Sequence, residues 1–372
     1  METKIMKVCS KCVLPETYPG IQFDDNGVCS ICNQGETIEL PGLVRDFRNE
    51  QELVECIEKR RNVDSKYDVL VPLSGGVDSC YTLITIVEKY KLRVLGFHND
   101  HGYEDETATE NVRKLCGKLK VDLVLLQQDY EFMRKLWKYF NEADVQGINT
   151  CYVCGNILFL NSLEVAHRFD IPMVINGYSK GQAAMVYDKS MGSDVLEQLI
   201  EIIEKTGDKE FFDQFMDKYK ILEKKINYQN RRDLETIQPG KILFVPFYVF
   251  DFYKTDKVAL KAEIKKRFDW HPMKTSYPSR TTNCEMVWLN SYMDREKMAY
   301  SLYEVEYAEM VRKGDFTREQ ALEDLEFNPP QGLIERLARE VDVNIDIFKV
   351  QIQNIQSKEE NGKKEVAVEF DF

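Results

Sequence analysis

The chain is predicted to fold as an α/β protein, a doubly wound parallel sheet with an N-terminal zinc ribbon and a helical C-terminal region. Three observations carry this prediction. From Tyr67 to Asn176 short apolar runs alternate with stretches of helical periodicity, the pattern of a parallel sheet covered on both faces. The first of these runs, Asp68 to Leu73, leads straight into Ser74-Gly75-Gly76-Val77-Asp78-Ser79. Two Cys-x-x-Cys pairs, Cys9/Cys12 and Cys29/Cys32, stand near the N-terminus.

Residues 1–40 are short on helical periodicity and rich in turn formers: Pro15, Pro19-Gly20 and Asp24-Asp25-Asn26-Gly27. The last lies between apolar Ile21/Phe23 and Val28 and reads as a hairpin turn. A module this small cannot bury a core. The two cysteine knuckles, joined by the segment Val13 to Val28, have the spacing of a four-thiolate zinc site. Four thiolates leave no open coordination position, so the expected Zn2+ is structural and explains how the module stays folded. Zinc suits these four cysteines better than an iron–sulfur cluster.

Residues 44–65 read as a charged amphipathic helix. Strands are expected at 68–73, 92–97, 121–126, 172–176 and 241–246. Helices are expected from the glycine loop to about Tyr90, near 105–119, over 130–142, and after the Cys151/Cys154 pair to about Phe169. Residues 187–232 look like a helical insertion, with Leu196, Leu199, Ile200, Ile203, Phe211, Phe212 and Phe215 forming a packing stripe. Residues 286–343 are again helical, Thr317-Arg318-Glu319-Gln320 opening one helix as a capping box. The charged tail Lys358 to Glu365 precedes Val366 to Phe370, which is expected to add an edge strand. The domain reading is therefore 1–40, 41–285 with the insertion at about 187–232, and 286–372.

A net charge of −13 sets a small-molecule substrate ahead of a long nucleic acid, since phosphate neutralisation needs a basic face. No run reaches the roughly 18 apolar residues of a membrane helix, and Met1-Glu2-Thr3-Lys4 starts no secretory signal. The expectation is a cytoplasmic protein without membrane association. Ten cysteines in such a chain argue for metal or redox chemistry. Cys56, Cys80 and Cys116 fall inside expected helices without a second ligand at useful spacing and read as buried packing.

A glycine loop between a buried strand and a helix suits phosphate, because free N–H groups and the helix dipole favour an anion. Gly75 and Gly76 let the backbone approach, Ser74 and Ser79 offer hydroxyls, and Asp78 would hold the loop or help ligate Mg2+. The loop lacks the Gly-Lys-Ser/Thr of a Walker A sequence. It resembles the signature of the PP-loop ATP pyrophosphatases. That resemblance covers roughly residues 67–285 and implies ATP and Mg2+, cleavage between the α- and β-phosphates, and adenylation of a substrate carbonyl oxygen. It implies an ATP site of Ser74, Gly75, Gly76, Val77, Asp78 and Ser79. His98 and Asn99 at the end of the second strand join them, with Gly177 and Lys180 at the end of the fourth. Asp78 and Ser79 are the catalytic candidates of the loop. His98 and His101 are candidate bases, although lone loop histidines are more often bystanders, and Lys274 and Arg280 are candidate pyrophosphate clamps.

The segment Lys11 to Cys32, and Val311 to Ala321 near the other end, are similar to the N-acetyl sugar amidotransferase family. This resemblance implies conversion of a sugar acetamido group into an acetamidino group in bacterial surface-glycan synthesis. No N-terminal nucleophilic cysteine stands apart from the ribbon, so ammonia would come from a partner glutaminase. One feature departs from that pattern. Cys151-Tyr152-Val153-Cys154, between the third and fourth expected strands, resembles the Cys-x-x-Cys of PP-loop tRNA thiolases, with Cys284 as the third ligand of a [4Fe–4S] cluster. Two readings follow: amidotransfer to a sugar-like substrate, or iron–sulfur-dependent sulfur transfer from a sulfur donor to a small molecule or tRNA. A third is a non-catalytic zinc-ribbon adaptor that retains nucleotide binding.

Overall fold

The structure is a computed structural model. It describes residues 7–35, 49–145, 150–177, 193–225, 228–230, 241–247, 253, 257–274, 277–278, 283–314, 316–348, 354–360 and 363–369. In chain order its elements begin with α1 (Ser30–Gln34), α2 (Glu50–Arg60), β1 (Val69–Pro72), α3 (Val77–Glu88), β2 (Val94–Asp100), α4 (Glu106–Leu119) and β3 (Asp122–Gln127). There follow α5 (Tyr130–Glu142), α6 (Thr150–Arg168), β4 (Met173–Asn176), α7 (Ser193–Thr206), α8 (Lys209–Lys225), β5 (Tyr228–Asn230), β6 (Ile242–Pro246) and α9 (Lys257–Phe268). The C-terminal region holds α10 (Met286–Met298), α11 (Leu302–Lys313), α12 (Arg318–Asp324), α13 (Leu333–Val341), β7 (Asn354–Glu360) and β8 (Lys363–Glu369). Among the described residues no helix is long and apolar enough to cross a membrane.

The chain divides into two compact units. One comprises Met1–Leu40, Arg134–Tyr152 and Ser276–Phe372, the other Pro41–Met133 and Val153–Thr275. The compact units are thus discontinuous in sequence, and the N-terminal cysteine module shares a unit with the C-terminal helices.

The second unit contains a wholly parallel sheet in the order β3-β2-β1-β4-β6-β5. β1 pairs with β2 on one side and β4 on the other, so the winding reverses between β1 and β4. In an open parallel sheet that switch point, at the carboxyl ends of the strands, is where a ligand crevice forms. All four residues of β1 and of β4 are buried, as a strand covered on both faces requires. Val69, Val71, Met173, Ile175, Leu243 and Val245 form the middle of the core. At the edge, β3 alternates between exposed and half-buried positions.

The bottom of the sheet is held by one carboxylate. Asp68, fully buried, receives Arg93 Nη2 on Oδ1 at 2.6 Å and Arg93 Nε on Oδ2 at 3.1 Å, with Arg61 Nε 3.3 Å from Oδ1. Arg93 also donates to the carbonyl oxygens of Ser65 and Asn62, tying the exit of α2 to the starts of β1 and β2. Burial pushes the Asp68 carboxyl up, but the arginines outweigh it and hold it below the ordinary range.

In the first unit, Tyr277, Leu289, Met293, Tyr307, Leu337 and Val341 are buried. Arg295 of α10 forms a buried ion pair with Glu304 and donates to Tyr277 Oη at 2.7 Å. Glu304 also closes a capping box on Ser301 at the start of α11. The Thr317–Gln320 box expected from sequence opens α12.

Several expectations change in detail. α6 begins at Thr150, so Cys151 and Cys154 lie inside its first turns instead of before it. The segment read as a helical insertion supplies α7 and α8 but also β5, the sheet's sixth strand, which is too short to announce itself by period. The helix expected at 44–65 spans Glu50–Arg60, its start set by the Asn49 side chain capping Glu52 N; residues 44–48 lie outside the described ones. The C-terminal strand does not edge the large sheet. It pairs with β7 in a two-stranded antiparallel hairpin whose register sets Lys358 against Glu365, Glu359 against Lys364 and Glu360 against Lys363.

Asp68→Asn should lower stability at pH 7 by about 2 kcal/mol, read from urea midpoints, because it leaves two guanidiniums without their counter-charge. The carboxyl is depressed in the folded state, so its contribution is present above the unfolded value near 3.9 and is lost as pH falls through the lower folded value. The gap between parent and variant should therefore close on acidification; a gap independent of pH would refute the assignment.

Candidate nucleotide site and metal centre

The glycine loop crosses the carboxyl end of β1. Gly75 has φ +77°, and a Cβ there would stand 2.3 Å from the carbonyl oxygen of Ala108 in α4. Only glycine fits, on both counts. Gly76 is the N-cap of α3 and provides no side-chain cap, so the first-turn N–H groups of Val77, Asp78 and Ser79 have no side chain of that residue on them. Ser79, buried, accepts from Ser74 N at 3.2 Å and donates to Gly76 O at 3.1 Å, while Ser74 Oγ accepts from Gly76 N at 3.3 Å. The two hydroxyls expected to meet phosphate also hold the loop's shape. Asp78 sits half-buried in the first turn of α3.

Across the switch point, Gly177 follows β4. A Cβ on it would meet Thr82 Oγ1 at 2.4 Å and Asp78 O at 3.1 Å, so the end of β4 packs directly on the first turns of α3. Gly177 and the loop are thus neighbours. Lys180 and Arg280 lie outside the described residues, whereas Lys274 has an exposed side chain and donates its backbone N–H to Asp105 Oδ2 at 2.8 Å.

His98 and Asn99 are tied into the protein. His98 is 1 % exposed, with Nδ1 2.7 Å from Leu73 O and Nε2 3.0 Å from Thr109 Oγ1. It links β1, β2 and α4. Asn99 Oδ1 accepts from Gln128 Nε2 and from Asn161 Nδ2, each at 3.0 Å. His101 is buried against Glu104 at 2.9 Å. Their side chains therefore shape the floor beside the loop.

Two residues that the sequence did not single out brace the loop from the far side. Trp270 Nε1 donates to Gly75 O at 2.8 Å. Asn111 donates to the same oxygen at 3.4 Å and to His271 O at 2.7 Å, while its Oδ1 accepts from His271 N at 2.9 Å. No local pattern marks them, because Trp270 and His271 lie far along the chain from the groups they meet.

In the first unit, Cys9, Cys12, Cys29 and Cys32 converge. Their sulfurs lie within 4.8 Å of one another and all four residues are buried; among the described residues this is the one such group of three or more His, Cys, Asp or Glu. Cys9–Cys32 and Cys12–Cys29 are 3.9 and 3.8 Å apart. A tetrahedron with zinc–sulfur bonds of about 2.3 Å has edges of about 3.8 Å, so the donor set fits a single four-thiolate ion. Backbone N–H groups of Lys11, Cys12 and Cys29 point at Cys9 Sγ at 3.3–3.4 Å. The hydrogen bonds that the four sulfurs share pull Cys9 and Cys29 down and push Cys12 and Cys32 up, a mark of how closely they stand. The expected hairpin is present: Asp24 N donates to Val28 O, Gly27 has φ +72°, and Asp24 Oδ1 accepts from Asn26 N and Val28 N.

Seven of the ten cysteines are buried, Cys56, Cys80 and Cys116 among them as expected. The three that are half-exposed are Cys151, Cys154 and Cys284. Cys151 and Cys154 are one turn apart on α6; Cys151 and Cys284 belong to the first unit and Cys154 to the second. Cys151 Sγ accepts from Asn290 Nδ2 at 3.2 Å, and Asn290 is oriented by Asn141, which donates to its Oδ1 at 2.8 Å. Burial first, then the nearby Cys151, Glu306 and Cys284, push the Tyr303 hydroxyl far above its ordinary range.

No family model matches the chain. It is similar to the uncharacterized protein MJ1599 of Methanocaldococcus jannaschii, 26 % identical over 171 residues, 46 % of this chain and 58 % of that protein. It is also similar to the tRNA-specific 2-thiouridylase MnmA of Desulfotalea psychrophila, 34 % identical over 88 residues, 23 % of this chain and 25 % of that one. A glutamine-hydrolyzing GMP synthase of Pyrobaculum aerophilum is 29 % identical over 90 residues, 24 % of this chain and 18 % of that one. The chain therefore spans under two thirds of each curated relative. Among solved structures, the U34-tRNA thiolase NcsA from Methanococcus maripaludis with its [4Fe-4S] cluster aligns over 91 % of this chain and 89 % of that one, at 14 % identity and a TM-score of 0.34. The sequence matches to MnmA and GMP synthase support the PP-loop ATP pyrophosphatase superfamily.

Proposed function

We propose that this chain is an ATP-dependent transferase that adenylates an amide-like carbonyl oxygen and then replaces that oxygen, the substrate being an N-acetylated sugar and the incoming atom nitrogen. The observation that carries the reading is the glycine loop at the switch point, with Gly75 fixed on α4, α3 without a side-chain cap and Gly177 beside it. A carbonyl oxygen is a poor leaving group. Its attack on the α-phosphorus, with cleavage of the α–β bond, releases pyrophosphate and converts it to a phosphate ester. Attack of ammonia at carbon then expels AMP, and the nitrogen gives up its proton. The backbone from Gly75 to Ser79 would bind and orient the phosphates and Asp78 would hold Mg2+, which would supply charge neutralisation for phosphoryl transfer. The similarity of both ends of the chain to sugar amidotransferases, and the match to a glutamine-hydrolyzing synthase, favour nitrogen. Ammonia would come from a separate glutaminase.

A second reading rests on the half-exposed cysteines. The sequence resemblance names Cys151, Cys154 and Cys284 as the holders of a [4Fe–4S] cluster, which would supply an iron site for sulfur; the one close-set donor group among the described residues is the Cys9–Cys32 set, while the partial exposure of these three suits thiols that must meet a sulfur donor. The match to a 2-thiouridylase supports it.

With the correct acceptor the enzyme should release AMP and pyrophosphate. Asp78→Ala should reduce pyrophosphate formation more than a hundredfold while leaving the circular dichroism unchanged. ADP and phosphate as products would refute the adenylation chemistry, and no nucleotide turnover at all would favour the adaptor.

Cys151→Ala separates the two atoms. A nitrogen transferase given free ammonia should keep most of its turnover, whereas a sulfur transferase should lose all of it. Anaerobic metal analysis of the same preparation should show zinc alone in the first case, and about four irons besides in the second.

A further inference from the structure

The Cys9/Cys12 knuckle faces two arginines from the C-terminal helices of its own unit. Arg312, in the last turn of α11, has a side chain 5 % exposed. Its Nη1 lies 3.6 Å from Cys12 Sγ, and its Nε and Nη2 donate to Glu309 Oε2 at 3.2 and 2.7 Å. Arg318, in the first turn of α12, donates from Nε to Cys9 O at 3.0 Å and Cys12 O at 2.9 Å. Its Nη2 is buried and makes no hydrogen bond among the described residues. The turn between the helices is fixed by left-handed Gly314 and by the Thr317 capping box, so both guanidiniums are brought to one knuckle.

Among the described residues the charges at this contact lean positive. Arg312, Arg318 and Lys313, whose Nζ is 2.9 Å from Glu309 Oε1, bring three cations to one buried carboxylate. Glu319, next to Arg318, also attracts it, but from an exposed position where water screens the attraction. Buried guanidinium groups are costly without an anion. Four protonated thiols offer none. A divalent ion bound by four thiolates would carry two negative charges beside Cys12 Sγ, the sulfur that Arg312 faces, and would supply what is missing.

We propose that Arg312 and Arg318 are the charge-balancing residues of the four-cysteine metal centre, so that α11 and α12 dock firmly on the cysteine module only when the metal is bound. They act through the sulfurs and the knuckle backbone and are positioning residues, not ligands. The centre then does more than fold its own short segment. It fixes a helical pair drawn from the opposite end of the chain, which makes metal occupancy a determinant of order at the C-terminal end of the unit.

The test uses the full chain, with Zn2+ affinity measured by competition against a chromophoric chelator and thiolate ligation followed by the charge-transfer absorption of bound Co2+. Arg312→Met and Arg318→Met should each weaken Zn2+ binding by about 10–100-fold, the usual effect of losing an outer partner of a metal ligand. The Co2+ spectrum should still show four thiolates, and Arg318→Lys should recover part of the lost affinity. In the parent protein, chelation should raise amide hydrogen exchange in residues 302–324 while residues 69–127 stay unchanged. Zn2+ affinities within twofold of the parent in both methionine variants would overturn the proposal. If a variant fails to fold, exchange in the chelated parent decides: protection of 302–324 that ignores the metal is equally fatal.

Discussion

Position 75 can carry no side chain, and the phosphate loop depends on that constraint. The chain leaves β1 between two neighbouring strands and must turn at once into α3. It does so through a left-handed residue pressed against the backbone of α4. That contact fixes where α3 begins, and with it the direction in which the first-turn amides point. The carbonyl of Gly75 is turned the other way and is taken up by Trp270 and Asn111, so the loop is held on both sides before any ligand arrives. Gly177 repeats the device from β4: a side chain there would strike Thr82, and its absence lets the fourth strand close on the same helix turn. Preorganisation of this kind is what a site needs if binding energy is to be directed at transferring groups instead of at ordering the loop.

Much of this was legible because it is local. Alternating apolar runs give a parallel sheet through short-range physics, and the strand–glycine–helix succession puts the loop at a strand's carboxyl end. The two cysteine knuckles carry their own geometry, since a pair of residues between ligands is what a tetrahedral ion accepts. The Thr317 capping box was equally local. Other features lay beyond reach for a physical reason. β5 is three residues long and gains its place from pairing with β6, not from its own pattern. α6 starts before the cysteine pair, yet a stretch with no apolar period at its first turn does not declare where the helix begins. The partners of Gly75 O lie far along the chain, and nothing around Trp270 distinguishes a side chain that braces a loop from one that only packs.

Histidine shows the same limit from the other side. At the end of β2, His98 has the sequence position of a nucleotide contact or a base. Its burial and its bonds to Leu73 O and Thr109 also make it a strut between two strand ends and α4. Asn99 likewise gathers two amides onto one oxygen. Polar residues at a strand's carboxyl end serve the shape of a crevice as readily as its chemistry, and only partner geometry separates the two.

The nitrogen and sulfur readings draw on different kinds of observation, and they are not symmetric. The proposed nitrogen reading rests on a resemblance at both ends of the chain, and a resemblance of that kind bears on the activation step more than on the incoming atom. The incoming atom is decided by what stands near the activated carbon, and the contact that bears on the proposed sulfur reading is that of Asn290 with Cys151. One amide, oriented by a second, donates to that sulfur. Such an arrangement sets an oriented donor on the sulfur. It suits a sulfur that carries charge or binds metal. Ammonia needs no such sulfur. The proposed nitrogen reading thus stands beside one cysteine environment suited to sulfur chemistry, and the fate of turnover without Cys151 measures which of the two governs the proposed second half-reaction.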